Sequence, residues 1–486
     1  MYSLIFLAGL SFAFCFFLTP LVRNALLRAG ILDRPDRERK FHERPIPRLG
    51  GVPIALAMTL SLAIFAFVPL SGVQELRGHW PELMRLIPGA VLVFLIGIAD
   101  DLWGLRPWQK LAGETAASLW LYWQGFRVHN LFGFEALNAH WFSLPLTLLW
   151  LVGCANAFNL IDGLDGLASG VGFFATCTML VASLLNPGAA ALGILTAPLA
   201  GALLAFLRFN FNPASMFLGD SGSLLIGFLL GAYGLFWSQK SITLLGMTAP
   251  VLALAFPILE AGISVTRRFL RGDPIFAADR GHIHHRLAEK GWTPRRVVLV
   301  IYGVTSLFAM FSLLTTVPEF RATGLVIILF CAVSWIGIQH LGYAEFTEAR
   351  KIILSGTVRQ LIASQTKLRS YRHALEQAES MDDCWRLTVE AMRELGFDSV
   401  ELALPGGRRL HAWLHENGEK PAPGDCWTIR IPLDGPRADG WMELSRHIGR
   451  GEGYLMLHAV VETVRHVLPE KIREHERAET AAATGR

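Results

Sequence analysis

Four residues in the stretch NAFNLIDGLDGLASG (156–170) have the side chains that hold a cation or a phosphate: Asn156, Asn159, Asp162 and Asp165. Their steps of three are expected to line all four along one side of a helical turn. Gly163 and Gly166 leave the backbone bare for a ligand to approach. Long apolar sequence flanks the stretch, and ionisable groups at a membrane segment read by default as a functional site. A polar loop capping two helices would explain the same residues, so the other polar clusters decide.

Three such clusters follow the same logic, and a basic loop precedes them. In GIADDLWGLRPWQK, one carboxylate of the Asp100–Asp101 pair can bind a cation while the other takes a proton, and Lys110 offers a compact charge to a phosphate; acid pairs also end ordinary helices. In FNFNPASMFLGDSGS, Asn210 and Asp220 bracket a turn, and the free amides at the start of the next helix suit an anion. Asp220 beside them suits a hard divalent cation held by few carboxylates plus substrate phosphates. Phe217 could stack on a base, although a single Phe is more often core. The run DRGHIHHRL supplies Arg280, His282, His284 and His285 without a cysteine, a set that fits a phosphate better than zinc. Upstream, RKFHERPIPRLGG carries Lys40 and His42, in a loop that also reads as a membrane anchor.

The elements that must position these residues are membrane helices. Of 486 residues, 52% are hydrophobic and 17% charged, and the mean hydropathy is +0.40. Apolar runs of about 20 residues, the length that crosses a bilayer, recur along the chain. We count eleven spans, near 2–22, 50–70, 85–99, 108–126, 143–159, 167–186, 190–208, 221–238, 242–264, 297–317 and 322–342. Lys and Arg concentrate after the first and the ninth span, so those loops are expected to be cytoplasmic. The amino terminus is then outside, and the carboxyl terminus and every acidic cluster are inside. The first span lacks a basic leader and a cleavage site and reads as a retained helix. The six cysteines form no CxxC pair and imply neither disulfides nor zinc. An ion-coupled transporter would instead place acids near the midplane and show repeat symmetry between halves.

Together, the motifs resemble those of the polyprenyl-phosphate N-acetylhexosamine-1-phosphate transferases, membrane enzymes of glycosyltransferase family four, in order and spacing over about residues 1–343. The resemblance implies transfer of a sugar-1-phosphate from a UDP-N-acetylhexosamine to undecaprenyl phosphate, release of UMP, and a need for Mg²⁺ (Mn²⁺ is the candidate substitute). It implies Asp220 as the main metal ligand and Asn159 as the second. Asp100 and Asp101 would supply the base or phosphate-site carboxylate, and Asp162 and Asp165 would shape the nucleotide site. Asn210 and Phe217 would hold uridine, and Lys40 and Lys110 would meet phosphates. Asn156, His42, Arg280, His282, His284 and His285 complete the expected substrate-binding set. HIHHRL is similar to the branch that transfers N-acetylglucosamine-1-phosphate for envelope polysaccharides in a bacterial inner membrane. Some relatives carry a third acid in a DDxxD pattern, where this chain has Gly104; a metal role at that position is excluded.

Beyond residue 343 the composition turns polar. Leu354, Leu361, Leu368 and Leu375 form a seven-residue stripe over a helical linker (344–380), suited to a short coiled coil or to packing on its own domain. Residues 381–469 read as a small cytoplasmic α+β module, faintly like a GAF-type sensor: a helix, strands at 399–404, 427–433 and 440–446, and a closing helix at 453–468. Residues 470–486 read as disordered. The expected fold is thus an all-α polytopic membrane protein of about eleven helices with a small C-terminal α+β domain. Its expected partners are the two substrates, the bilayer and a second copy of the chain through the tail; nucleic acid is not among them.

Overall fold

The computed structural model describes residues 1–33, 45–68, 71–128, 139–186, 189–240, 247–271, 273–274, 281–317, 322–343, 345–347, 357–404, 407–414, 425–433, 440–448 and 457–484. The chain divides into two compact units, Met1–Glu345 and Phe346–Arg486.

The first unit is helical: α1 (Tyr2–Ala29), α2 (Gly51–Phe65), α3 (Ser71–Gly78), α4 (Trp80–Trp103), α5 (Pro107–Trp123), α6 (His140–Ile161), α7 (Leu167–Leu185), α8 (Ala190–Asn210), α9 (Gly219–Lys240), α10 (Thr248–Ala253), α11 (Ala255–Arg271), α12 (Ile283–Glu289), α13 (Pro294–Leu314) and α14 (Thr323–Leu341). A two-residue antiparallel pair, β1 (Leu32–Asp33) with β2 (Ile46–Pro47), lies between α1 and α2. Among the described residues eight helices are long and apolar enough to cross a membrane: α1, α4, α6, α7, α8, α9, α13 and α14. The chain is a multi-pass membrane protein. The expected eleven is not reached on this measure, for three local reasons. The apolar α2 has only 15 residues, α5 has 17 and carries Lys110 and Glu114, and the ninth expected span is broken at Leu254 into α10 and α11.

Helix α9 is the axis of the bundle. Its apolar window is entirely buried, and it packs on α4 and α6 while α8 packs on α1 and α7. Glycine permits this closeness: a Cβ on Gly97 of α4 would stand 2.5 Å from Ser221 Cα, and one on Gly227 of α9 would stand 2.4 Å from the Cys154 carbonyl of α6. The α4–α9 approach seats Asp100 and Asp101 against the start of α9.

In the second unit, α15 (Thr357–Glu376), α16 (Met381–Glu394) and α17 (Leu457–Thr484) accompany an antiparallel sheet of order β4-β3-β6-β5. Its strands are β3 (Ser399–Ala403), β4 (Arg409–Trp413), β5 (Cys426–Pro432) and β6 (Trp441–His447). Val400, Leu402, Met442 and Leu444 alternate onto one face and pack with Leu368, Leu375, Met392 and Val464. Leu368 and Leu375 are therefore core residues of their own domain, while Leu354 and the Leu361 side chain lie outside the described residues. Two expectations are corrected. Strand β4 was absent from the sequence reading, and residues 470–484, expected to be disordered, continue α17.

Candidate active site

The ends of α4, α6 and α8 and the starts of α9 and α13 meet around one polar cavity of about 440 Å³. Asp101, Asp162, Asp165 and Asp220 line it with Asn210, Phe217 and His285; Asp33, Arg48 and Asn212 complete its polar wall.

Gly104 ends α4 in a left-handed conformation, which turns the chain so that the Leu105 N–H donates to Asp100 Oδ1 at 2.6 Å. Pro107 then opens α5, whose first turn brings in Lys110. Its Nζ lies 3.1 Å from Asp100 Oδ2 and 2.7 Å from Asp220 Oδ2. The adjacent Asp101 has a different task. It is 3% exposed, and its two oxygens accept the backbone N–H groups of Asp220 and Ser221 at 3.0 Å each. Gly219, at φ +71°, fits beneath it, since a Cβ there would stand 2.7 Å from Asp101 Oδ2. Asp101 thus caps α9 and aims Asp220.

The 156–170 stretch does not form one helical stripe, because α6 ends at Ile161 with Asp162 as its C-cap. Asn156 donates to Glu114 Oε2 and to the Val152 carbonyl and is not among the residues lining the cavity. Asn159 Nδ2 donates to Ser223 Oγ at 3.1 Å, which leaves its carbonyl oxygen available. Asp165 accepts from Asn212 Nδ2 and the Ala214 N–H, both at 3.0 Å, and so pins the loop before α9. Asn210 is held on both sides: it accepts from Ser169 Oγ at 2.6 Å and donates to the Met216 carbonyl at 3.0 Å. Asp162 faces the cavity. Burial, reinforced by Asp220, Asp101 and Asp165, pushes its carboxyl well above the usual range against a single opposing Gly219 N–H.

His282 meets Glu260 Oε1 at 3.1 Å, and the same oxygen accepts the Ile283 N–H at 2.8 Å, so a buried acid of α11 starts α12. His284 lies flat against His282, with its Nε2 facing Gly163 and without a hydrogen-bond partner among the described residues. Burial first, then His285 and His282, lower its pKa to about 3, so it is neutral at physiological pH. His285 reaches the cavity. Lys40, His42 and Arg280 lie outside the described residues.

The sequence reading passed over Glu114, Glu260, Asn212 and Tyr302, whose Oη donates to the Gly166 carbonyl at 2.5 Å. Only Glu114 carried a signal, an acid four residues after Lys110 in an apolar helix.

The donor chemistry suits a hard cation. Asp220, Asp100, Asp162 and the Asn159 carbonyl present oxygen alone, and among the described residues Lys110 alone forms ion pairs with Asp100 and Asp220. Among the described residues no three His, Cys, Asp or Glu side chains form a group that could hold an ion.

The segment that builds most of this cavity, residues 83–238, matches the family described as "Glycosyl transferase family 4". Over 297 residues the chain is 34% identical to the probable undecaprenyl-phosphate N-acetylglucosaminyl 1-phosphate transferase of Bacillus subtilis, covering 60% of this chain and 79% of that one. The chain belongs to glycosyl transferase family 4. Within the family it is similar to the decaprenyl-phosphate N-acetylglucosaminephosphotransferase of Mycobacterium tuberculosis, 36% identical over 332 residues, 61% of this chain and 78% of that one. It is also similar to the undecaprenyl-phosphate alpha-N-acetylglucosaminyl 1-phosphate transferase of Thermotoga maritima, 32% identical over 327 residues, 65% and 91% of the two chains. These relatives are phospho-sugar transferases, and this family member is an enzyme of that kind.

Proposed function

We propose that the enzyme transfers N-acetylhexosamine-1-phosphate, with N-acetylglucosamine as the sugar, from a UDP-sugar to undecaprenyl phosphate. The reaction runs at the cytoplasmic face of a bacterial inner membrane, with the amino terminus outside and the carboxyl terminus inside, and begins a lipid-linked envelope polysaccharide. The observation that carries this reading is the placing of Asp100, Asp220 and Lys110 at one end of apolar helices beside a polar cavity. A lipid phosphate can reach that level while its tail stays in hydrocarbon, and a sugar nucleotide can enter from water. The names of the relatives support a polyprenyl phosphate as acceptor and N-acetylglucosamine as the sugar.

Phosphoryl transfer needs alignment and charge neutralisation more than covalent help. An oxygen of the lipid phosphate attacks the phosphorus that bears the sugar. The bond from that phosphorus to the bridging oxygen breaks, and UMP leaves with that oxygen. Lys110 and Arg48 bring positive charge to the phosphates. Asp101 takes up the Asp220 and Ser221 N–H groups and holds the start of α9 rigid, so that the Asp220 carboxylate is aimed before substrate arrives. Asp162 faces the cavity where the phosphates would lie, and Phe217 offers a face to the uracil. Mg²⁺, held by Asp220 with Asp100 and the Asn159 carbonyl, would supply Lewis-acid neutralisation of the diphosphate.

The test is to incubate purified protein with undecaprenyl phosphate, Mg²⁺ and a panel of UDP-N-acetylhexosamines, and to identify the lipid product. Product from UDP-N-acetylglucosamine and its loss in Asp220→Ala are expected. No product from any donor, with the protein folded, contradicts the reading.

A further inference from the structure

Lys110 occupies the space between Asp100 Oδ2 and Asp220 Oδ2, which is where a divalent cation shared by those two carboxylates would lie. An ammonium and a divalent cation cannot both stay there. One helical turn along α5 stands Glu114, with no solvent exposure. Its Oε2 accepts from Asn156 Nδ2, while its Oε1 has no hydrogen-bond partner among the described residues. A buried carboxyl oxygen without a donor is costly and calls for an explanation. Residues four apart share a helix face, and helical side chains lean toward the N-terminus, which carries the Glu114 carboxyl toward the level of Lys110. The two groups are within electrostatic reach of each other.

We propose that Lys110 has two stations: bridging Asp100 and Asp220 before the cation binds, and paired with Glu114 Oε1 once the cation has displaced it. The proposal rests on the reading of this site as a divalent-cation phosphotransfer site. It makes Lys110 a resident stand-in that keeps adjacent carboxylates neutralised in the empty enzyme. Glu114 is a positioning residue that receives the displaced ammonium, so one ion pair is exchanged for another and no buried charge is stranded. Moving Lys110 requires rotation of its own side chain only.

The experiment measures Mn²⁺ binding alone, by electron paramagnetic resonance of the free ion, on the full-length chain in detergent without substrates. Glu114→Gln should raise the Mn²⁺ dissociation constant by about tenfold, as loss of a coupled site does. Lys110→Met should tighten binding, because no ammonium competes. In the Lys110→Met background Glu114→Gln should then change nothing beyond about twofold, since the coupling runs through the lysine. Should Glu114→Gln fail to fold, Glu114→Asp takes its place, with a smaller loss in the same direction. Wild-type affinity in the Glu114 variant overturns the proposal, and so does an equal loss with and without Lys110, which would mean that Glu114 attracts the ion directly. Absence of Mn²⁺ binding by the wild-type chain also overturns it, while the transferase reading is judged separately by its lipid product.

Discussion

The two units bury carboxylates in opposite ways. In the C-terminal unit Asp398 is 2% exposed and accepts the His447 N–H at the end of β6, in a unit whose core includes Val400, Leu402, Met442 and Leu444. In the membrane unit Asp101, Asp162, Asp165 and Asp220 crowd around one cavity, and the ammonium of Lys110 is shared between Asp220 and the adjacent Asp100. One buried acid with its donor holds a fold together. Several acids gathered at one cavity are costly unless cationic groups or a ligand offset them, and that crowding is what makes the cluster the candidate site. Within the cluster the same contrast recurs: Asp101 spends both oxygens on backbone, as Asp398 spends one, while its neighbour Asp100 keeps an oxygen for Lys110.

The largest effect should come from Asp220→Ala. It removes a proposed ligand from a preorganised phosphoryl-transfer site, and sugar-phosphate transfer should fall hundreds-fold or more, a loss of about 4 kcal/mol or more in barrier stabilisation, with melting temperature preserved. Next, Leu402→Ala in the C-terminal core should destabilise that unit by about 2–5 kcal/mol in denaturant unfolding, the cost of a buried large-to-small change. Asp101→Ala orphans two backbone N–H groups and should lower stability by on the order of 1–3 kcal/mol for each, whereas Asp100→Ala orphans one, that of Leu105, and should cost less stability while reducing transfer. Equal thermal penalties for the two would erase the division of labour drawn from their hydrogen bonds.

The smallest effect concerns pH. Burial and neighbouring acids raise the Asp162 carboxyl in the folded chain, so that above the ordinary value of about 4 the unfolded chain ionises first. Its contribution to stability is then fully present below pH about 4 and is lost as pH rises toward the folded value. Asp162→Asn should therefore raise the melting temperature in chelator at pH 7 to 8 and change little near pH 4. A uniform shift at both pH values would contradict the charge crowding.

Hydropathy was enough to locate the membrane helices, since apolar length is a local property. Its eleven spans and the eight long apolar helices among the described residues part where span and helix differ, as at α2 and at the break between α10 and α11. In the tail, alternation found β3, β5 and β6. It missed β4 because Arg409–Trp413 is a short, largely exposed edge strand. The end of the chain, rich in Ala and Glu, has the propensity of a helix, although its polarity read as disorder. The acids of the site were visible as types, but their separate tasks were not. Asp100 and Asp101 are neighbours in sequence, and only the packing of α4 on α9, across 119 to 120 residues, gives one of them to the backbone of Asp220 and Ser221. Glu114 and Glu260 were overlooked for the same reason, since their partners come from other helices.

The most direct measurement follows the phosphorus. With UDP-N-acetylglucosamine labelled at the phosphorus that bears the sugar, and with undecaprenyl phosphate as acceptor, the label should appear in the lipid while uridine leaves as UMP. Release of UDP with unlabelled lipid, or no lipid product from a folded protein, would contradict the account.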